Sequence, residues 1–139
     1  MIERRDLSER MDPKERTKVL VEQFDWDKND TLKIWSFGPE NMGANILVDQ
    51  VKQALYMNEV KDSVCSAFLS VTRNGVLAEE NLRGVRFNII DSTLNTDSVH
   101  RNAPQIIPYT KRLFNGLEIA LVPTLLEPIF LVEITAPSN

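Results

Sequence analysis

The chain has 139 residues, 42% of them hydrophobic, with five glycines, seven prolines and a formal net charge of −4. These figures describe one folded domain and exclude a disordered tail, and the acidic balance does not advertise nucleic-acid binding by the chain as a whole. A single cysteine, Cys65, excludes an internal disulfide and any zinc site built from cysteine pairs, which fits a reducing compartment.

The first residues, Met-Ile-Glu-Arg-Arg-Asp-Leu-Ser-Glu-Arg, are charged and carry no apolar core of a secretory signal. No run approaches the roughly 20 apolar residues needed to span a bilayer. A soluble, cytoplasmic domain with no membrane partner is the expectation.

In chain order, Asp12-Pro13-Lys14-Glu15 predicts a helix start: Asp12 caps, Pro13 suits the first position, and Glu15 completes a capping box. Val19, Leu20 and Phe24 follow at helical spacing. Leu32 to Phe37 reads as a strand closed by Gly38-Pro39, and residues 38–50 read as irregular. A second helix carries Val60, Val64, Ala67, Phe68 and Val71 on one stripe, with Asn58 as cap and Asn74-Gly75 as stop. Cys65 falls beside that stripe and is expected in or near the core.

Two strands are then expected, Val76 to Glu80 and Val85 to Leu94. In the second, Val85, Phe87 and Ile89 alternate with Arg86 and Asn88. A third helix starts near Pro104 or Gln105, where a proline costs little because the first helical N–H groups lack partners. Its expected inner face is Ile106, Thr110, Leu113, Phe114, Leu117 and Leu121. Glu127 to Ile134 reads as a last strand. The order helix, strand, helix, strand, strand, helix, strand predicts an α+β, two-layer sandwich with an about four-stranded sheet and helices on one face.

Chemical motifs are sparse. There is no phosphate-binding glycine loop and no dinucleotide fingerprint, and the single His and single Cys make no metal cluster. No catalytic residue, metal site or cofactor is therefore expected in this chain. From Arg83 to Arg112, however, five basic residues stand against two acidic ones, and that segment holds His100, the one histidine. Asp97 lies three residues before His100 and would suit an orienting carboxylate, but no nucleophile accompanies the pair. Loops held by a rigid scaffold carry function disproportionately, which makes the segment between strand and third helix the place to look.

Five blocks in this chain, in order, carry a resemblance: Lys33 to Leu47 (KIWSFGPE…GANIL), Asn58 to Phe68, Glu79 to Leu94 (EENLRGVRFNIIDSTL), Asp97 to Pro108 (DSVHR…QIIP) and Leu125 to Ile134 (LLEPIFLVEI). Together they closely resemble the fourth domain of eukaryotic elongation factor 2, a translational GTPase family. The resemblance implies a fold of the ribosomal-protein S5 domain 2-like type and a domain that enters the decoding-side A site of the ribosome during tRNA–mRNA translocation. The family's GTP and magnesium belong to an N-terminal domain that this chain does not contain. The division implied is a helical lead-in at 1–31, the fourth-domain unit at 32–135, and the start of a link to a fifth domain at 136–139.

By motif, the resemblance puts His100 at the family's diphthamide position and makes diphthamide-synthesis enzymes and ADP-ribosylating toxins further partners. The implied tip and RNA-binding residues are Asp97, His100, Arg101 and Gln105, with Lys111 and Arg112 as phosphate contacts. The chain departs from the family pattern at Asn102-Ala103-Pro104, where the family has a glycine-rich triplet. Glycine permits left-handed backbone and close approach, so His100 is expected to be a poor substrate for modification. The alternative is a protein-interaction domain of a spliceosomal or ribosome-maturation GTPase relative.

Overall fold

The computed structural model describes Leu7 and residues 11–136. The helix α1 (Pro13–Phe24) starts where expected: Asp12 Oδ1 accepts the Lys14 N–H at 3.2 Å and Pro13 takes the first position. A short helix, α2 (Lys28–Leu32), follows at once, capped by Asp27, whose Oδ1 accepts the Asn29 N–H at 2.7 Å. The sequence reading passed over this element and gave its last residue, Leu32, to a strand. β1 runs instead from Ile34 to Gly38, so the glycine ends the strand rather than follows it.

The irregular piece contains a strand, β2 (Asn45–Asp49), whose first four residues are all buried. It lies at the centre of a three-stranded sheet in the order β1-β2-β3. β1 pairs with it antiparallel, with Phe37 opposite Ile46, and β3 (Arg86–Ile89) pairs parallel, with Phe87 opposite Leu47. The parallel step needs a long crossover, which α3 (Met57–Arg73) supplies. A 3₁₀ turn at Ser98–Arg101 leads into α4 (Ala103–Ala120).

The stripe on α3 is where the spacing put it: Val60, Ala67, Phe68 and Val71 are buried. Its start is not. Tyr56, in the left-handed region at φ 67°, precedes the helix, and Asn58 sits inside the first turn without capping it. Cys65 packs half-buried against the main core, made of Leu47 from β2, Phe68 and Val71 from α3, Phe87 from β3 and Phe114 from α4. The rings of Phe87 and Phe114 are 4.7 Å apart, and Phe68 meets both edge-on. Removing one such ring costs about 3–5 kcal/mol, so this triad locks two helices to the sheet.

Strand residues alternate between faces, so Ile46 and Val48 point away from Leu47. They meet Phe37, Ile34 and Trp26 in a second cluster. Thus α3 and α4 cover one face, and the N-terminal segment covers part of the other. The junction is fastened by Arg86, which donates to Asp30 Oδ2 at 2.6 Å and lies 4.2 Å above the Trp26 ring.

Three further expectations are corrected. Residues 76–80 form a turn, with the Glu79 N–H donating to the Gly75 carbonyl at 3.1 Å, and not a strand. The next strand stops at Ile89, well before Leu94, although its alternation is right. Residues 127–134 make no ladder among the described residues: the segment has no regular secondary structure and is exposed, Ile129 and Leu131 being 96% and 89% accessible. The sheet among the described residues therefore has three strands, not about four.

The inner face of α4 is also rotated from expectation by roughly one residue. Phe114 and Glu118 are buried, whereas Leu113, Leu117 and Leu121 face outward. Residues 137–139 of the link expected at 136–139, and all of the lead-in before Met11 except Leu7, lie outside the described residues.

Candidate nucleic-acid interface

The segment after β3 runs exposed to Asp97, which caps the 3₁₀ turn: its Oδ1 accepts the Val99 N–H at 3.0 Å and its carbonyl accepts the His100 N–H at 3.2 Å. Asn95 Oδ1 accepts the Asp97 N–H at 2.9 Å, so each polar side chain serves the backbone two residues on. This leaves His100 exposed, next to Val99, which is 61% accessible. Asp97 is occupied with the turn and does not orient the imidazole by any hydrogen bond among the described residues, which removes the geometric basis for a base–orienter pair.

Arg101 is placed differently from its expected role. Its side chain is only 6% exposed. Nε and Nη2 donate to Glu59 Oε2 at 3.0 and 2.8 Å, Nη1 donates to the carbonyls of Asn95 and Thr96 at 2.6 and 2.7 Å, and the guanidinium lies 3.9 Å from the centre of the Tyr56 ring. A half-exposed carboxylate such as Glu59 contributes about 1 kcal/mol or less as an ion pair, but bonds from a buried guanidinium to carbonyls are worth about 1.5–3 kcal/mol each. The carbonyl contacts therefore dominate. A side chain held this way offers no free fork to RNA, whereas the resemblance implies Arg101 as a tip and RNA-binding residue.

The replaced triplet has a structural job. Asn102 is extended (φ −74°, ψ 157°) and caps α4: its Oδ1 and its carbonyl both accept from the Gln105 N–H, at 3.3 and 3.1 Å. Ala103 and Pro104 occupy the first turn. Asn102 is not in the left-handed region that glycine favours, and the triplet starts a helix where glycines would leave the chain free.

Gln105 is half-buried in that turn, Lys111 is half-buried and Arg112 exposed. Lys111 lies eight residues into α4, about 12 Å along its axis from the first residue. Arg112 lies 6.0 Å from the ring of Tyr109, which is 68% accessible. The sequence reading missed Tyr109, Tyr56 and Glu59. Only Tyr109 had a local signal, since an aromatic three residues before a cation on a helix shares its face. No cluster of His, Cys, Asp and Glu suited to a metal ion occurs among the described residues, and no helix there is long and apolar enough to cross a membrane.

The model of elongation factor G, domain IV, matches residues 6–118, which makes this small α+β unit a translation-factor domain of the ribosomal-protein S5 domain 2-like fold. The chain belongs to this elongation-factor family, which includes the elongation factor 2 type.

Proposed function

We propose that this chain is the ribosome-binding domain of an elongation factor 2-like GTPase, which inserts the loop at 97–101 into the decoding-side A site and supports tRNA–mRNA translocation. The observation that carries this reading is the exposed His100 on a short, internally bonded turn at the head of α4. Recognition would rest on shape and phosphate contacts rather than base sequence. His100 and Val99 form the tip, Asp97 and Gln105 shape it, and Lys111 with Arg112 meet phosphates, Tyr109 offering a ring to an unstacked base. On this reading the chain works in the cytoplasm, His100 stands at the diphthamide position, and GTP chemistry belongs to another domain of the parent protein.

The test is affinity for a small-subunit decoding-site RNA hairpin as a function of salt. Each phosphate neutralised contributes roughly 0.7–0.9 to the log–log slope, so Lys111→Ala with Arg112→Ala should flatten it by about 1.4–1.8. An unchanged slope places the contacts elsewhere. Specific binding to a protein rather than to RNA would favour the interaction-module alternative.

A further inference from the structure

We propose that Arg101 is a positioning residue, which fastens the loop at 95–101 so that His100 and Val99 meet their partner already in shape. The inference rests on the RNA-binding reading above and deepens it, since a loop arginine beside the tip histidine would otherwise be counted among the phosphate contacts.

A guanidinium has five N–H donors, and four of them are taken. Two go to Glu59, on the first turn of α3; the other two go to the carbonyls of Asn95 and Thr96. One flat face is covered by Tyr56. The Nη1 bonds join residue 101 back to residues 95 and 96, and so close a small ring of chain around His100. The Glu59 bonds register that ring against α3, the helix whose Phe68 and Val71 belong to the core.

Within the ring, Asp97 takes the N–H groups of Val99 and His100. Just beyond it, Asn102 starts α4. The tip is thus bonded before any partner arrives, and ordering cost is removed from the binding step. Lysine cannot replace this arrangement, because an ammonium lacks the planar fork that spans a carboxylate and two carbonyls at once.

Two roles for Arg101 predict opposite results from the same variants. A phosphate contact needs the charge, so Arg101→Lys should keep most of the RNA affinity, and Glu59→Ala, by freeing the cation, should tighten binding and steepen the salt slope. A positioning residue needs the fork, so both variants should loosen the loop and weaken binding with the slope unchanged. An Asp62→Ala variant, at an exposed carboxylate on the same helix, corrects for the general loss of negative charge.

The loop itself is read by hydrogen exchange at the Val99 and His100 amides, and by the imidazole resonance, which is unambiguous with one histidine in the chain. We expect exchange to accelerate on the order of tenfold in Arg101→Lys, which loses the carbonyl fork, and by a few-fold in Glu59→Ala, which keeps it. The imidazole signal should shift or broaden, and RNA affinity should fall by similar factors. Unaltered exchange in both variants, or wild-type affinity in Arg101→Lys, overturns the proposal. A wild-type chain that binds no decoding-site RNA while both variants loosen the loop overturns the RNA-binding reading and leaves the fastening intact.

Discussion

Asn45 holds Val85 by its side chain. Oδ1 accepts the Val85 N–H at 3.0 Å, while Nδ2 donates to the carbonyls of Gly38 and Leu82 at 3.0 and 2.7 Å. Asn45 is fully buried and begins β2, and the Ile46 N–H next to it donates to the Val85 carbonyl. One amide thereby stitches the end of β1 to the approach of β3 where the parallel ladder starts. Asn45→Ala leaves three backbone groups without this partner, and the expected cost is about 2–4 kcal/mol. Asn45→Asp should be no better, because a carboxylate oxygen would face two carbonyls. Urea denaturation of both variants checks this; a loss below about 1 kcal/mol for each would mean that water serves those groups equally well.

Glu118 lies buried on the inner face of α4, and neither carboxylate oxygen has a hydrogen-bond partner among the described residues. Burial raises its pKa, and the backbone amide of Val76, which faces it without completing a bond, offsets only part of that. The native state therefore holds this proton more tightly than the unfolded chain. Stability should be greatest at or below the ordinary carboxylate pKa and fall as pH rises through the folded value. Glu118→Leu should remove that slope and stabilise the chain at pH 7 by roughly 1–3 kcal/mol. Melting curves at pH 4.5 and pH 7.5 test it, and a variant no more stable than wild type at pH 7.5 would show that the carboxylate is solvated.

Asp30 has the opposite sign. Hydrogen bonds from Gln50 and then Arg86 lower its pKa. Its contribution is complete above the unfolded pKa and is lost as pH falls through the folded one. Asp30→Asn should cost about 1 kcal/mol at neutral pH, and wild type and variant should converge in acid. A difference that stays constant down to pH 2 would assign the effect to packing against Trp26 instead.

The segment beyond α4 has no regular secondary structure, and Leu125, Leu126, Ile129, Phe130, Leu131, Val132 and Ile134 are all exposed. Ending the chain at Leu121 should leave the melting temperature within about 2 °C, because no buried side chain among the described residues is removed. It should also reduce self-association, since an unpaired apolar tract with strand-forming residues is a template for pairing. Calorimetry and sedimentation velocity decide it; a large drop in stability would show that this tract packs on the domain.

Restoring glycine at all three positions, Asn102→Gly, Ala103→Gly and Pro104→Gly, removes the cap and the fixed first turn of α4. In a diphthamide-competent cell, that triple variant should carry more modification at His100 than the unaltered chain, as read by intact mass spectrometry. Full modification of the unaltered chain would mean that the modifying enzymes accept a preformed helix start beside the histidine.

The elements differ in how plainly the sequence showed them. The stripe on α3 was legible because Val60, Ala67, Phe68 and Val71 recur at helical spacing and are all buried, with Val64, Cys65 and Leu69 flanking them half-buried. β2 was not, because a central strand buried on both faces shows an apolar run and no alternation. The register of α4 misled for the converse reason: Leu113, Leu117 and Leu121 are apolar yet outward, while an acidic Glu118 lies inside. The exposed position of His100 could be anticipated from its polar, turn-forming surroundings. The role of Arg101 could not, since its partner Glu59 is 42 positions away and no spacing rule connects them.

Four arginines among the described residues lie over rings, three of them on the body of the domain or held in its loop: Arg16 over Phe37, Arg86 over Trp26 and Arg101 over Tyr56, the fourth being Arg112 beside the exposed Tyr109. Arg86 and Arg101 are also paired with Asp30 and Glu59, so their charges are largely offset at a distance, and the chain as a whole is acidic. Long-range attraction therefore does not hasten its encounters with a polyanion, and the on-rate is left to diffusion and to the small solid angle over which the tip fits. A module of this kind engages RNA efficiently when it is held close, where effective concentration replaces electrostatic capture.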